Sequence, residues 1–396
     1  MKLLFTILIT ISTLFFLSQK KIKTFWDSKN SQPKEIYFAK IKRGDTIKNG
    51  NYLIYHKNGN LWQKGNFENN KLTGKWIDNH YNGRLKQDLF FSNNLLEGEI
   101  KSYYTLGSLH QISNYKNDIL HGKVIIYHEN GNLMQETNYS HGLPSGICKG
   151  YYQNGKLRQS YTMIKGIENG PSEKFYENGN LQEKAERANG KYIGKFIGYH
   201  KEHKDTVQKI CFYENGVLTG KFQGFYPSGN LMNECSYIND NIEGGYTEYF
   251  DTDSLAIYTT GIYFKGKKTG TWSTFYPNGE KYYEGTYLNN MYNGEWEVFY
   301  PNKIKKQVGK YSSDKETGEF KFYERISGLL SHTGEYKNGI KEGNWKFYYP
   351  SGKLKVHNLY SNGSRNGIAI AYNEKGAIIE KAEYQNNVKI KDLPLK

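Results

Sequence analysis

Residues 270–287, GTWSTFYPNGEKYYEGTY, and residues 343–360, GNWKFYYPSGKLKVHNLY, share one pattern of two strand-forming runs around a turn. Side chains alternate in the first run, so Trp272 and Phe275 point to opposite faces of a strand. The turn at residues 276–279 reads Tyr-Pro-Asn-Gly, in which Pro presets φ and Gly accepts the left-handed conformation. Each stretch therefore predicts a β-hairpin.

The same pattern recurs along most of the chain, each time after a glycine that follows a polar loop. The steps between these glycines are 24 to 26 residues, and a fixed period of this size is typical of repeat architectures. The repeat glycines are Gly74, Gly98, Gly122, Gly146, Gly170, Gly194, Gly220, Gly244, Gly270, Gly294, Gly318, Gly343 and Gly367. We predict an all-β fold, an elongated twisted antiparallel sheet of tandem β-hairpin repeats, with about fourteen 24-residue repeats in residues 51–387.

The connections between hairpins are expected to be polar loops, of which residues 288–293 are an example. The stretch from Tyr199 to Gly220 departs from the pattern. A charged segment at residues 200–205 replaces the turn, and a second turn-like motif at residues 213–216 follows in the same repeat. We expect this repeat to be distorted.

Two columns of side chains follow from the repeat. The second residue after each repeat glycine is mostly bulky and apolar, and the fifth is aromatic in nearly every repeat. Offsets of two and five have opposite parity, so the columns lie on opposite faces of the sheet. The uniform fifth column is expected to be structural, whereas the variable second column is the candidate for recognition. Its strongest part predicts a partner-binding site formed by Trp272, Trp296, Phe320 and Trp345.

The two ends of the chain differ from the repeats. An apolar run of about fifteen residues follows Lys2, so residues 1–19 are predicted to be a signal peptide or an N-terminal membrane anchor. Residues 20–50 are predicted to be a basic polar stalk, and residues 388–396 a C-terminal tail. These features predict export to the periplasm, the cell surface or the medium, or anchoring by the N-terminal segment. A short buried helix at the start of a cytoplasmic protein is the alternative.

The net charge of +15 raises nucleic acid and anionic membranes as partners. Residues 1–50 contain ten basic and three acidic residues, so nearly half of the excess lies there and the repeats are only mildly basic. Phosphate recognition needs Lys and Arg clustered on one face, and no nucleic acid partner is expected. An anionic membrane surface stays open as a partner.

The sequence contains little that could carry chemistry. His200, Glu202, His203 and Asp205 form a local cluster of metal-ligand residue types, but their spacing fits no defined zinc pattern. Cys148 occupies the bulky second column, where a thiol acts as a small hydrophobe. We therefore predict no catalytic residue, no cofactor, no metal and no small-molecule substrate, and hence no enzyme.

The repeat resembles the variant form of the MORN repeat, in particular that of the bacterial YwqK-type antitoxin-like proteins. The shared pattern is G-x-W-x-x-[FY]-Y-x-N-G-x-L, and parts of it occupy residues 74–76, 127–133, 175–181, 270–279 and 343–354. The resemblance extends over most of residues 51–387. It implies an antiparallel β-ribbon that contacts proteins or membranes and has no chemistry of its own.

These observations predict a non-enzymatic repeat scaffold that mediates protein–protein interaction at the cell envelope or outside the cell, and the resemblance adds an antitoxin-like role. A long sheet with an exposed aromatic face and weak charge favours a protein partner, since aromatic residues anchor many interfaces. Two alternatives remain open. The basic stalk and the Tyr and Trp content also fit a peripheral membrane-binding organiser, and the repeats alone fit a structural spacer.

Overall fold

A computed structural model of the chain describes residues 19–395. The signal peptide or membrane anchor predicted in residues 1–19 lies almost entirely outside the described residues. From residue 19 to residue 395 the chain forms strands and turns and no helix, and so this part contains no helix able to span a membrane. The predicted all-β fold of tandem hairpins in an antiparallel sheet is confirmed.

The chain divides into two units, of which the first ends at Gly179 and the second begins at Asn180. In the first unit, strands pair antiparallel with strands next to them in sequence. Its strands are β1 (Lys20–Phe25), β2 (Pro33–Lys42), β3 (Asp45–Tyr55), β4 (Leu61–Glu68), β5 (Lys71–Asn79), β6 (Leu85–Ser92), β7 (Leu95–Leu96), β8 (Gly98–Tyr103), β9 (Leu109–Lys116), β10 (Ile119–Leu120), β11 (Gly122–Tyr127), β12 (Leu133–Ser140), β13 (Leu143–Pro144), β14 (Gly146–Tyr151), β15 (Leu157–Ile164) and β16 (Ile167–Phe175).

The second unit follows the same antiparallel order. Its strands are β17 (Leu181–Ala188), β18 (Lys191–Tyr199), β19 (Val207–Glu214), β20 (Val217–Phe225), β21 (Leu231–Ile238), β22 (Asn241–Tyr249), β23 (Ile257–Phe264), β24 (Lys267–Phe275), β25 (Lys281–Leu288), β26 (Met291–Phe299), β27 (Lys305–Ser312), β28 (Lys315–Tyr323), β29 (Leu330–Lys337), β30 (Ile340–Tyr348), β31 (Leu354–Ser361), β32 (Ser364–Arg365), β33 (Gly367–Tyr372), β34 (Ile378–Gln385) and β35 (Val388–Asp392).

The hairpin of β24 and β25 shows how the repeat motif folds. Gly270, at the start of the motif, pairs with Tyr287 at its end. In the turn, the Gly279 N–H donates to Tyr276 O at 2.9 Å, and Gly279 has φ of 84°. Glycine reaches this left-handed region without the steric cost that a Cβ brings. The predicted role of glycine in the turn is confirmed.

The connection between hairpins is a second tight turn rather than the polar loop predicted at residues 288–293. Leu288 pairs directly with Met291, and Asn289 and Asn290 between them have φ of 53° and 72°. Two positive φ values in a two-residue connection are typical of a type I′ turn, which matches the twist of the flanking strands and suits Asn. Polar composition was misleading here, because the residues after Asn290 continue as strand β26.

The strands extend beyond both ends of the predicted repeats. Residues 20–50, predicted to be a stalk, form β1, β2 and the beginning of β3. Residues 388–396, predicted to be a tail, contain β35, which pairs with β34. Pairing satisfies backbone N–H and C=O groups whatever the polarity of the outward side chains. Lysine-rich composition therefore did not reveal these strands.

The repeat that departs from the sequence pattern keeps its pairing. Tyr199 pairs with Val207, so the insertion at residues 200–206 only lengthens the turn between β18 and β19. Asn215 and Gly216 then have φ of 51° and 86° and form the tight turn between β19 and β20. The expected distortion is confined to a turn.

Buried clusters lie in each unit. The first unit has a cluster around Tyr52, Ile54 and Trp76. The second unit has a cluster of Ala185, Phe196 and Cys211 and another of Trp272, Tyr287 and Trp296.

Candidate functional site

The four predicted partner-binding residues lie in the interior of the second unit. The exposed fractions of Trp272, Trp296, Phe320 and Trp345 are 1%, 6%, 1% and 0%. A side chain without accessible surface cannot anchor a partner, since hot-spot residues must be reachable in the free protein. This burial gives the second column a role in internal packing instead of the expected role in recognition.

Each of these rings lies over a glycine of the preceding strand. A Cβ at Gly285 would overlap the ring of Trp296, and the Trp296 Nε1–H donates to Thr286 O at 3.1 Å. The hydrogen bond satisfies the one polar group of the buried indole. The same arrangement places Trp272 over Gly261, Phe320 over Gly309, Trp345 over Gly334 and, in the first unit, Trp76 over Gly65.

Side chains of neighbouring strands close this column from both sides. The ring of Trp272 lies edge-on to Tyr263 and Tyr287, with centroids 5.2 and 5.9 Å away, a favourable aromatic geometry. Lys268 Nζ lies 4.1 Å from the centroid of Trp272. Burial lowers the pKa of the Lys268 amine below its usual value, a cost that the contact with the ring partly offsets.

Side-chain size is matched between facing positions, and this signal in the sequence was overlooked. The residue eleven positions before a member of the second column is small where that member is large. One pair in the first unit reverses this order, since the large Tyr161 faces Ser172. The pairs with a small first member are Gly65 and Trp76, Ala185 and Phe196, Cys211 and Phe222, Cys235 and Tyr246, Gly261 and Trp272, Gly285 and Trp296, Gly309 and Phe320, and Gly334 and Trp345.

The fifth column is half-buried, and the residue that follows it links successive repeats. Tyr276 Oη donates to Phe299 O at 3.0 Å, and Tyr152 Oη donates to Phe175 O at 2.8 Å. Both acceptors lie 23 residues further along and belong to the fifth column of the next repeat. A hydrogen bond of this kind contributes about 0.5 to 1.5 kcal/mol. The tyrosine after the fifth column and the backbone carbonyl of the next fifth-column residue therefore link successive hairpins.

Part of the accessible apolar surface of the second unit lies on the opposite face from the Trp column. Ile238, Phe264 and Leu288 end strands β21, β23 and β25, and their exposed fractions are 56%, 55% and 50%. Each follows a tyrosine that packs inward, so strand alternation turns these three outward. Ile262, 49% exposed, lies two residues before Phe264 on the same face. We call these four residues the outer apolar patch.

Gly245 leaves the surface beside this patch free of side chains. It pairs with Ile262 across β22 and β23, and a Cβ at Gly245 would meet no atom within 4 Å. Two basic residues lie next to the patch, Lys265 in the turn after Phe264 and Lys267 at the start of β24, where it pairs with Phe264. The arrangement is an apolar surface with a polar rim, which is typical of protein interfaces.

Side chains able to hold a metal ion do not converge in residues 19–395. This part of the chain contains no group of three or more His, Cys, Asp or Glu placed to hold a metal ion. His200, considered above as a ligand, places Nε2 2.9 Å from Phe225 O. A cavity of about 460 Å³ in the first unit is lined by Lys64 and Lys75 but by no acid, His or Cys.

Comparison with known protein families gives one matching family. The model described as "MORN repeat variant" matches residues 48–69, 96–117, 120–141, 144–165, 168–189, 218–239, 268–289 and 341–362. No curated protein matches the chain.

Solved structures match with low similarity. The TcdB2–TccC3 crystal structure has 11% identity and a TM-score of 0.17, covering 93% of this chain and 23% of that one. The Photorhabdus luminescens Tc holotoxin pore has 10% identity and a TM-score of 0.16, covering 94% and 22%. A porin-like protein from Bacteroides uniformis has 10% identity and a TM-score of 0.13, covering 67% and 93%. The chain thus spans about a quarter of the toxin-complex chains, and TM-scores this low carry no conclusion.

Proposed function

The chain is a MORN repeat variant protein, and we propose that it is a non-enzymatic scaffold that binds a protein partner at the cell envelope or outside the cell. MORN repeats generally mediate interactions with proteins or membranes. In this chain the hairpins stack through their own aromatic columns, so a partner would use the outward side chains.

The observation that carries the proposal is the outer apolar patch. Three successive repeats present a large, half-exposed apolar side chain at the same position, namely Ile238, Phe264 and Leu288. Neighbouring members are two strands apart, about 9.6 Å at the usual strand spacing. Contiguous exposed apolar surface with a polar rim marks interaction sites in soluble proteins. Burial of this surface by a protein would provide the hydrophobic core of an interface.

Support for a role without catalysis comes from the described side chains. The exposed polar residues lie in turns and on outward strand positions and are largely hydrogen-bonded to the next repeat. Asn278 Nδ2, for example, donates to Pro301 O at 3.4 Å, and Asn154 Nδ2 donates to Glu177 O at 3.2 Å. These groups stack turns on turns, and residues 19–395 contain no group of three or more His, Cys, Asp or Glu placed to hold a metal ion.

The proposed location rests on the apolar run that follows Lys2. Fractionation of cells that express the full chain should place it in the envelope or the medium. Recovery in the cytoplasm would reject the location. A protein toxin is the partner to test first, because the sequence resembles antitoxin-like repeats. A captured partner that is toxic alone and harmless when co-expressed with this chain would establish that role.

The outer apolar patch is tested by replacing Ile238, Phe264 and Leu288 together with Ser. Ser occupies the same position in the next repeat, at Ser312, so the fold should tolerate the change. Capture from the native envelope fraction should fall by at least about tenfold, as for the loss of hot-spot residues. Ile164→Ser is the matched control, because Ile164 holds this position in the first unit and is 52% exposed. Equal capture by wild type and the triple variant would reject the patch.

The membrane alternative is separated by co-sedimentation with vesicles of anionic and of neutral lipid. Strong binding to anionic vesicles that falls with added salt would favour a peripheral membrane organiser. If the full chain captures no protein and binds no vesicle, the structural spacer is the remaining interpretation.

A further inference from the structure

A cavity of about 460 Å³ lies against strands β3, β4 and β5 of the first unit. Among the described residues that line it are two lysines, Lys64 and Lys75, and no acid. We propose that this cavity, which we call the lysine cavity, binds an acidic segment of the protein partner that carries a carboxylate beside an apolar side chain. The inference rests on the proposed function as a protein-binding scaffold and names the kind of segment bound.

The floor of the lysine cavity is apolar and faces outward. Leu53 lies between two buried residues of β3, and Ile77 lies between two buried residues of β5. Strand alternation therefore turns both side chains to the face opposite the buried Trp76. On this face Lys64 pairs with Leu53 on one side and with Ile77 on the other. A single amine thus stands between two aliphatic side chains, which suits a ligand that combines a charge with an apolar group.

Lys64 has no ionic partner among residues 19–395. Lys75, the other lysine of the cavity, places Nζ 2.8 Å from Asp88 Oδ2. Lys64 is exposed, and no described carboxylate lies within ion-pair distance of its amine. An incoming carboxylate can therefore bind Lys64 without breaking an ion pair inside the chain, so that its attraction to the amine is not offset by a lost contact.

Other hairpins show which group is missing at Lys64. An acid occupies the equivalent position in these hairpins and binds a lysine of the strand before it. The pairs are Lys75 and Asp88 at 2.8 Å, Lys123 and Glu136 at 2.7 Å, and Lys221 and Glu234 at 3.1 Å. In the hairpin of β3 and β4 a lysine stands at the position of the acid, and Asn51 stands at the position of the lysine. An acidic residue of a partner would supply the ion pair that the other hairpins form internally.

The equivalent hollow of a repeat in the second unit has balanced charge. Its volume is about 320 Å³, and its lining includes Lys221, Glu234 and Gly245. Glu234 stands where the first unit has Lys64, and Gly245 stands where it has Lys75. The bond between Lys221 and Glu234 neutralises this hollow from within. The hollow thus follows from the geometry of the repeat, whereas the unpaired positive charge is a property of the lysine cavity.

A surplus of positive charge surrounds the lysine cavity. Lys23 pairs with Ile36, and Ile36 pairs with Leu53, so the exposed Lys23 lies on the same face as the floor of the cavity. Residues 19–50 contain nine basic and three acidic residues. Such a surplus attracts an acidic segment during encounter and repels a basic one.

The shape of the site favours a protein segment over a lipid surface. Membrane-surface binding buries protruding apolar side chains among the lipids, whereas Leu53 and Ile77 are half-buried in the lining of a hollow. The volume of about 460 Å³ lies within the range of about 300 to 1,000 Å³ of sites that enclose a ligand. A side chain that protrudes from a partner can fill such a hollow, and a flat headgroup layer cannot.

The test uses the full chain and three rhodamine-labelled peptides, measured by fluorescence anisotropy. The acidic peptide is Gly-Ser-Leu-Glu-Leu-Glu-Ser-Gly, one control replaces both Glu with Gln, and the other replaces both Leu with Ser. We expect the acidic peptide to bind at least about tenfold more tightly than either control, because each control lacks one of the two groups. Added salt should weaken its binding. Equal affinities for the acidic peptide and either control, or no binding of the acidic peptide, would overturn the proposal.

Variants locate the binding. Lys64→Glu should weaken binding of the acidic peptide at least about tenfold, and the fold should tolerate it because Glu234 occupies the equivalent position. Ile77→Thr introduces the residue found at the equivalent position 247. It should also weaken binding, so the test survives if Lys64→Glu misfolds. Unchanged affinity in both variants would reject the lysine cavity as the site.

Lys71→Glu is the matched control. It makes the same change of charge on β5 without altering the lining of the lysine cavity. Salt screens an exposed charge outside the site, so the affinity should stay within about twofold of wild type. Equal weakening by Lys64→Glu and Lys71→Glu would mean that net charge alone attracts the peptide and would reject the cavity.

Capture experiments separate this inference from the proposed function. If Lys64→Glu captures a protein partner as well as wild type does, this inference alone is rejected. If the acidic peptide does not bind and Lys64→Glu loses binding to anionic vesicles, the lysines contact a membrane and this inference is rejected as well. Failure of the wild-type chain to capture any protein would reject the proposed function, whereas specific binding of the acidic peptide would still support the lysine cavity.

Discussion

Replacing Gly285 by Ala should destabilise the second unit, because the new methyl group would overlap the ring of Trp296. The ring is 6% exposed and is held by its hydrogen bond to Thr286 O, so it cannot move without losing contacts. Overpacking of this kind costs about 1 to 3 kcal/mol. Trp296→Ala, which empties the site, should cost about 3 to 5 kcal/mol.

Gly245→Ala is the matched control. Gly245 also lies within a strand of the second unit and has no positive φ, and an added Cβ there meets no atom within 4 Å. The expected change in free energy of unfolding is within about 0.5 kcal/mol. The difference between the two Gly→Ala variants therefore isolates the contact with Trp296 from the general effect of Gly on the unfolded chain.

A rescue variant tests the size matching directly. Ala185 and Phe196, at the equivalent positions of another repeat, lie in one buried cluster, so Gly285→Ala combined with Trp296→Phe should restore a fitting pair. The double variant should cost less than the sum of its single changes, with a coupling of about 0.5 to 3 kcal/mol for residues in contact. Strict additivity would mean that the two positions do not contact each other.

Urea unfolding followed by circular dichroism measures these free energies, and hydrogen exchange of the β25 and β26 amides localises them. Local measurement is needed because stacked repeats can open separately. If Gly285→Ala costs no more than Gly245→Ala, the ring does not lie over the glycine and the reasoning is refuted.

Two further predictions concern acid and chain length. Glu234 binds Lys221 Nζ at 3.1 Å and accepts from Tyr249 Oη at 3.0 Å, and these contacts lower the pKa of its carboxyl below 4.5. The stability that this carboxylate contributes is complete above pH 4.5 and is lost as the pH falls through the lower, folded-state pKa. Glu234→Gln should therefore flatten the acid side of the curve of unfolding free energy against pH. Superimposable curves for wild type and Glu234→Gln in urea unfolding would contradict this. Deleting residues 98–121, one whole repeat, should leave a folded chain, because each repeat contacts its neighbours only. Deleting half of that segment removes one strand and reverses the chain direction, and equal melting temperatures for the two deletions would contradict the repeat model.

The fold was predictable because its determinants are local. The turn at residues 276–279 and the alternation around Trp272 specify a hairpin within about eighteen residues. The 24-residue period repeats this hairpin along the chain. The Asn289-Asn290 turn is equally local, but polar residues are common in tight turns and in loops, so polarity alone does not distinguish the two. Residues 20–50 escaped prediction because their strands lack the motif and are recognised only through their pairing.

The candidate site was not predictable in the same way. The sequence shows that Trp272 and Phe275 point to opposite faces, but parity does not say which face is covered. The structure shows that tyrosines and Lys268 enclose Trp272, whereas Phe264 stays exposed. The repeat places Ile238, Phe264 and Leu288 at one equivalent position, but the sequence does not show that this position stays uncovered.

The sequence by itself determined the period, the hairpin, the turn chemistry and the two aromatic columns, since all of these depend on residues close together along the chain. Only the tertiary structure decided which column is buried. A Trp ring becomes inaccessible when it lies over a glycine of the preceding strand, as Trp296 lies over Gly285, and between tyrosines of the strands on either side. That enclosure depends on how neighbouring hairpins meet in space, because the exposure of a side chain is a property of what surrounds it.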